Sequence, residues 1–186
     1  MFANRTAYFK ALILVLLCCS GCGSAVSADQ GTLDGATFEV GFSPNHGSLE
    51  LVVKTIHEAK KQILVAAYAF SSKPVAQALL EASQRGVEVK VVADEKQNGR
   101  SYSAVTFLAN QHIAVRLNGN YAIHHNKFMV IDGDTVETGS FNYSAAAASK
   151  NAENVLVIRN AAPLAQVYAQ EWQRLWDEAT PLAARY

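Results

Sequence analysis

The chain is 186 residues long, half of them hydrophobic and 17% charged, with sixteen Lys and Arg balancing sixteen Asp and Glu. That profile excludes a disordered or collagen-like chain, and it excludes a strongly basic protein that would hold nucleic acid by bulk charge alone. The length fits one domain with room for a sizeable core.

Residues 1–28 read as a secretory signal. Arg5 and Lys10 give a positive start, and Ala11 to Cys19 is an apolar run too short to anchor in a bilayer. Val26-Ser27-Ala28 offers signal peptidase its small residues, so a mature chain would begin at Asp29. Removing two basic and no acidic residues leaves fourteen basic against sixteen acidic, a net charge of −2. All three cysteines, Cys18, Cys19 and Cys22, lie in this leader, so neither a disulfide nor a thiolate metal site is expected in the fold. The expected location is periplasmic or secreted. The alternative is a membrane-anchored lipoprotein, because Ser20-Gly21-Cys22 looks like the end of a lipobox, with Cys19 where Leu normally stands.

Residues 36–180 form one uninterrupted domain in which strand and helix patterns alternate. Thr37 to Ser43 predicts a strand and Ser48 to Lys61 a helix with Leu49, Val52, Val53 and Ile56 on one face. Ile63 to Phe70 is a continuous apolar run, as in a strand covered on both sides, which puts Tyr68 and Phe70 in the core. Pro74 to Gln84 predicts a helix stopped at Gly86. Val87 to Ala93 is a further buried strand, Ser101 to Gln111 a helix and Ile113 to Leu117 a strand. Ile123 to Ile131 and Thr135 to Gly139 flank Asp132-Gly133-Asp134, a hairpin signal. A strand at Glu153 to Arg159 and an amphipathic helix at Pro163 to Glu178 follow. The expected class is α/β, a mixed β-sheet flanked by helices on both faces.

Within that hairpin, His125 and Lys127 are two apart on a predicted strand and so share a face. A two-residue Asp132-Gly133 turn would pair position 131 with 134, set Ser140 opposite His125 and Thr138 opposite Lys127, and leave Asn142 two further on. One face would then collect an imidazole, an ammonium, a hydroxyl and a carboxamide. These are a nucleophile and three donors suited to phosphate oxygens.

His125-x-Lys127, then Asp132, then Gly139-Ser140-x-Asn142 resembles the signature of the phospholipase D superfamily. Residues 67–98, 137–144 and 151–158 resemble its smallest branch, the single-motif, Nuc-type bacterial endonucleases. The resemblance covers roughly residues 37–178. It implies that His125 is a nucleophile forming a covalent phosphohistidine and that Lys127, Ser140 and Asn142 hold the phosphate. It also implies that Glu153 orients the histidine. Asp132 completes the motif among the catalytic set, although its place at the turn suits a structural task.

Such a site needs no metal or other cofactor, because Lys127 and neutral donors can balance the phosphodiester charge. The leaving alkoxide needs a proton from a second, protonated histidine, while the first must be neutral to attack. With one motif per chain, the resemblance implies a C2 homodimer that shares one active site. The expected substrate is nucleic acid, DNA first and RNA second, with phospholipid headgroups as the alternative. Lys96, Asn98, Arg100 and Lys150 are candidate backbone contacts for nucleic acid. His124 should face away from His125, into packing or solvent contact, and His46, His57 and His112 are expected at the surface.

Overall fold

The computed structural model describes residues 29–99 and 103–184. In chain order it contains β1 (Thr37–Ser43), α1 (Ser48–Glu58), β2 (Gln62–Ala67), α2 (Lys73–Gln84), β3 (Glu88–Asp94), α3 (Glu95–Asn98) and α4 (Ala104–Asn110). Then come β4 (Ala114–Asn118), β5 (Lys127–Ile131), β6 (Thr135–Gly139), α5 (Ala145–Ser149), β7 (Glu153–Arg159), α6 (Ala162–Asp177) and β8 (Thr180–Pro181). The strands form one mixed sheet in the order β1-β7-β6-β5-β2-β3-β4-β8. β2, β3 and β4 run parallel, and their connections pass through helices, as parallel neighbours require. The leader with its cysteines, Arg100, and the start of the expected Ser101 to Gln111 helix lie outside the described residues.

The expected sandwich forms because the central strands are apolar on both faces. Along β2, Ile63, Val65 and Ala67 join the core beneath α1, α2 and α4, whereas Leu64 and Ala66 turn to α6. Trp172 of α6 is buried, and its Nε1 donates to the Val65 carbonyl at 2.9 Å, pinning that helix across the sheet. α2 starts where Ser72 caps Val75 N–H with Pro74 in the first turn, and it stops before Gly86 in the left-handed region, φ 91°.

The hairpin departs from the expected register. Ile131 pairs with Thr135, not Asp134, so Thr138 stands opposite Phe128 instead of Lys127. The loop holds three residues, with Asp132 and Gly133 both left-handed at φ 54° and 78°. Its geometry is tied down by the Asp132 carboxylate, which accepts the N–H groups of Lys60, Lys61 and Gln62 at 2.7–3.0 Å. The same contact explains why α1 ends at Glu58 and not Lys61: Ala59 turns extended so that the next amides reach the loop.

The strand expected from Ile123 begins only at Lys127, because β2, its ladder partner, ends at Ala67. Before that point the chain is irregular and is held by Asp94 Oδ2, which accepts the His124 N–H at 2.9 Å. Phe38, Val40 and Phe42 of β1 are exposed large hydrophobics, set in register with Ile158, Leu156 and Asn154 of β7.

Candidate active site

A cavity of about 560 Å³ opens at one end of the sheet, walled by His125, Lys127, Thr138, Ser140 and, from α6, Tyr168 and Glu171. The one-residue slip and the missing strand turn do not scatter the motif. Lys127, the first residue of β5, lies beside the end of β2, and its Nζ donates 2.6 Å back to the His125 carbonyl. That bond curls the irregular segment so that both side chains meet the same cavity. The Tyr68 ring packs against both, 4.7 Å from the His125 ring and 5.2 Å from Lys127 Nζ. Tyr68, expected in the core with Phe70, is instead half-buried and backs these two side chains, while Phe70 is core. The residue sits just past the last ladder pair, Ala67 with Lys127, where the strand's alternation no longer decides its direction.

Lys127 is only 9% exposed, and burial pushes its ammonium below the ordinary lysine range, with the Glu153 carboxylate partly opposing that shift. A desolvated ammonium of this kind gains most when an anion arrives. The His125 ring is exposed, and among the described residues its contact is the Tyr68 ring and no hydrogen bond.

Ser140 and Glu153 meet where β6 and β7 diverge. Ser140 Oγ donates to Glu153 Oε2 at 2.5 Å and accepts from Asn154 N at 3.1 Å. Glu153 Oε1 accepts from Asn151 Nδ2 at 3.0 Å. Gly139 makes this approach feasible, since a Cβ there would lie 2.2 Å from the Asn154 carbonyl. Glu153 thus orients Ser140 within the chain, and its expected partner His125 is not among its hydrogen bonds.

Two of the expected residues stand apart. Asn142 does not line the cavity, and its Oδ1 is buried without a partner. The cap of the following helix is Ser144, which accepts from Ala147 N, and not Asn142. Asp132 lies at the opposite end of β5, about 17 Å from Lys127 at ~3.3 Å per residue, and holds the hairpin. Burial raises its carboxyl, but the amides of Gln62, Lys61 and Lys60 outweigh burial and hold it below its ordinary value.

His124 turns away from the cavity that His125 lines, as expected, and it is packed and not solvent-facing: it is 2% exposed, with both ring nitrogens buried and without a hydrogen-bond partner among the described residues. Burial pushes its imidazole below its ordinary value, against the pull of Asp94, Glu171 and Glu178. Asn98, expected in a nucleic-acid-contacting loop, is instead buried: it accepts Phe70 N–H and donates to the Tyr68 and Asp94 carbonyls. Lys96 and Lys150 are exposed, as are His46, His57 and His112. Among the described residues no group of three or more His, Cys, Asp or Glu is placed to hold a metal ion.

An imidazole, a desolvated ammonium and a carboxylate-oriented hydroxyl around one open cavity are suited to transfer of an anionic phosphoryl group.

The comparisons with known proteins agree. The family model described as "Cardiolipin synthase, PLD-like domain" matches residues 52–176. The chain is 38% identical over 131 residues to phospholipase D of Rickettsia bellii, a match covering 70% of this chain and 65% of that protein. It is 34% identical over 123 residues to the mitochondrial cardiolipin hydrolase of Xenopus tropicalis, covering 66% of this chain and 58% of that protein. The chain thus spans rather less than two thirds of these relatives' own length. Nuc from Salmonella typhimurium, a phospholipase D family member, superposes with a TM-score of 0.78 at 38% identity, covering 80% of this chain and 99% of that one. The chain belongs to the phospholipase D superfamily, of which it carries a single HKD-type domain, named for the His, Lys and Asp of its motif.

Proposed function

We propose that the protein is a secreted, metal-independent endonuclease without sequence preference, acting on DNA first and RNA second through a phosphohistidine. The observation that carries this reading is the convergence of His125, Lys127 and the Ser140–Glu153 pair on one cavity. The near-complete coverage of Nuc by this chain supports it. A neutral His125 attacks phosphorus while Lys127 balances the equatorial oxygens, so an N–P bond forms and the P–O bond to the leaving group breaks. The departing alkoxide takes a proton from the His125 imidazolium of a second copy. That imidazole, now neutral, removes a proton from water as the water oxygen attacks phosphorus. The N–P bond then breaks, which regenerates both rings.

The second copy is a homodimer partner. Phe42 and Ser43 of β1 are in register with Asn154 and Glu153, so the exposed row of Phe38, Val40 and Phe42 adjoins the site and supports self-association. Exposed Lys96 and Lys150 supply local positive potential for a polyanion, whose binding should weaken steeply with salt.

Hydrolysis of phospholipid headgroups is the second reading, favoured by the names of the phospholipase D and cardiolipin hydrolase relatives. Wild type and His125→Ala are assayed in parallel on plasmid DNA, RNA and phosphatidylcholine vesicles with EDTA present. DNA cleavage that survives EDTA and vanishes in His125→Ala supports the first reading. Turnover of lipid alone replaces it with the second, and near-wild-type rates for His125→Ala overturn the site assignment.

A further inference from the structure

The site chemistry leaves two buried polar side chains unused, and they bracket the loop that carries Ser140 and Asn142. Glu137 of β6 is 1% exposed, between Met129 and Val157 on the neighbouring strands. Its Oε2 accepts a 2.7 Å hydrogen bond from Tyr143 Oη, also fully buried. The Tyr143 carbonyl accepts the N–H groups of Ser71 and Ser72, both at 2.8 Å, and its ring packs edge-on against Phe70. Residues 138–142 are therefore stapled at their two ends. One end is the strand leading into Ser140. The other is docked on the segment after β2 that also brings Tyr68 to His125.

We propose that the Glu137–Tyr143 staple is the positioning device for the phosphate-holding loop, and that it holds only while Glu137 keeps its proton. The neighbours across the strands, Met129 and Val157, are apolar, and among the described residues Tyr143 is the one titratable side chain acting on Glu137 and no cation does. Burial pushes the Glu137 carboxyl up to about 8, against a smaller opposing effect of the Tyr143 hydrogen bond. Burial and Glu137 together keep the phenol protonated well above its ordinary range. The pair is thus neutral at pH 7. At higher pH a carboxylate without counter-charge forms in the core, and relieving it requires water to enter and the loop to lift. Glu137 is a positioning residue, since it acts through Tyr143 and the loop and does not touch the cavity.

The activity readout rests on the phosphodiesterase reading, so a second readout is taken without substrate. Wild type and Glu137→Gln, which keeps the acceptor for Tyr143 Oη but cannot ionise, are compared on bis(4-nitrophenyl) phosphate. The wild-type kcat/KM is expected to fall about fivefold between pH 8 and pH 9, the step a single group titrating near 8 gives, mainly through KM. In Glu137→Gln that step disappears. Amide hydrogen exchange over residues 138–144, corrected for intrinsic rates, should lose protection across the same range in wild type and keep it in Glu137→Gln. Tyr143→Phe, which removes the staple without adding charge, should be poorly protected at every pH. Identical exchange profiles in wild type and Glu137→Gln overturn the proposal whatever the rates do. A wild type that turns over no phosphodiester sinks the phosphodiesterase reading alone, and exchange then decides the staple.

Discussion

Ser140 Oγ is held 2.5 Å from Glu153 Oε2 while accepting the Asn154 N–H at 3.1 Å, so its single proton is committed to the carboxylate and not to the cavity. The hydroxyl reaches a phosphate oxygen only if Glu153 takes another partner, such as an imidazole from the proposed second copy. The two residues should therefore differ in weight. Ser140→Ala removes one neutral hydrogen bond and is expected to lower kcat/KM about tenfold. Glu153→Gln removes the charge that would stabilise an imidazolium and is expected to cost about a hundredfold or more, in kcat. Steady-state kinetics on one phosphodiester separate them, and equal losses would mean that the pair acts only as a structural link.

Lys127 should be a costly residue to fold. Burial pushes its ammonium below the ordinary range, and the opposing effect of Glu153 does not restore it. The sign follows from linkage: where the unfolded lysine keeps its proton and the folded one has lost it, stability rises with pH. Below the lowered folded value both states are protonated, and the full cost of the buried charge is present. Lys127→Met should thus melt higher than wild type by a few degrees, roughly 1 kcal/mol, while abolishing turnover. A variant that melts lower would show that the ammonium is net stabilising in this cavity.

Much of this arrangement is legible in the chain, for reasons that differ by residue. The central strands read correctly because ILVAA at 63–67 has too few polar atoms to sit anywhere but between two helical layers. The motif spacing identifies His125, Lys127 and Ser140, and all three line the cavity although the assumed hairpin register is one residue out. The register failed because it depends on the Asp132 contact with amides about seventy positions earlier, which no local pattern carries. Tyr68 departs from its expected core placement for a related reason: it lies just outside a ladder, where alternation stops and tertiary contacts with His125 and Lys127 take over. The part assigned to Glu153 rests on the resemblance alone until the sheet sets its carboxylate beside Ser140.

Asp132 should be dispensable for chemistry and expensive for stability. Its carboxylate accepts three backbone N–H groups that join the hairpin to the end of α1, at the far end of β5 from the cavity. Asp132→Ala leaves those donors unmatched and should cost about 1–3 kcal/mol. Turnover below the melting range is expected to change less than about twofold, since the residue makes no contact with the reacting groups. Because the folded carboxyl is held below its ordinary value, its contribution is present above the unfolded value near 3.8 and is lost as pH falls through the lower folded value. Acid titration of thermal melts should therefore separate wild type from Asp132→Ala near neutral pH and bring them together in strong acid. A large loss of kcat in a folded Asp132→Ala would return the residue to the catalytic set.

The last expectation concerns the proton that the leaving group must receive. Within one protomer no second imidazole is available for it: His124 is buried behind the site, and His46, His57 and His112 do not line the cavity. If the donor is His125 of a second copy, specific activity should fall as the protein is diluted through its dissociation range, in step with the loss of dimer seen by sedimentation. Phe42→Asp, placed in the exposed row one position from Ser43 and opposite Asn154, should shift both curves to higher protein concentration together. Mixing wild type with an excess of His125→Ala should then poison activity beyond simple dilution, because each mixed dimer lacks either its nucleophile or its acid. Acid-quenched mixtures of wild type should also yield a phosphorus–nitrogen adduct on His125 in the dimer alone. A sedimenting monomer with undiminished specific activity would require a proton donor from within the chain, and Glu171 on the cavity wall would be the residue to substitute next.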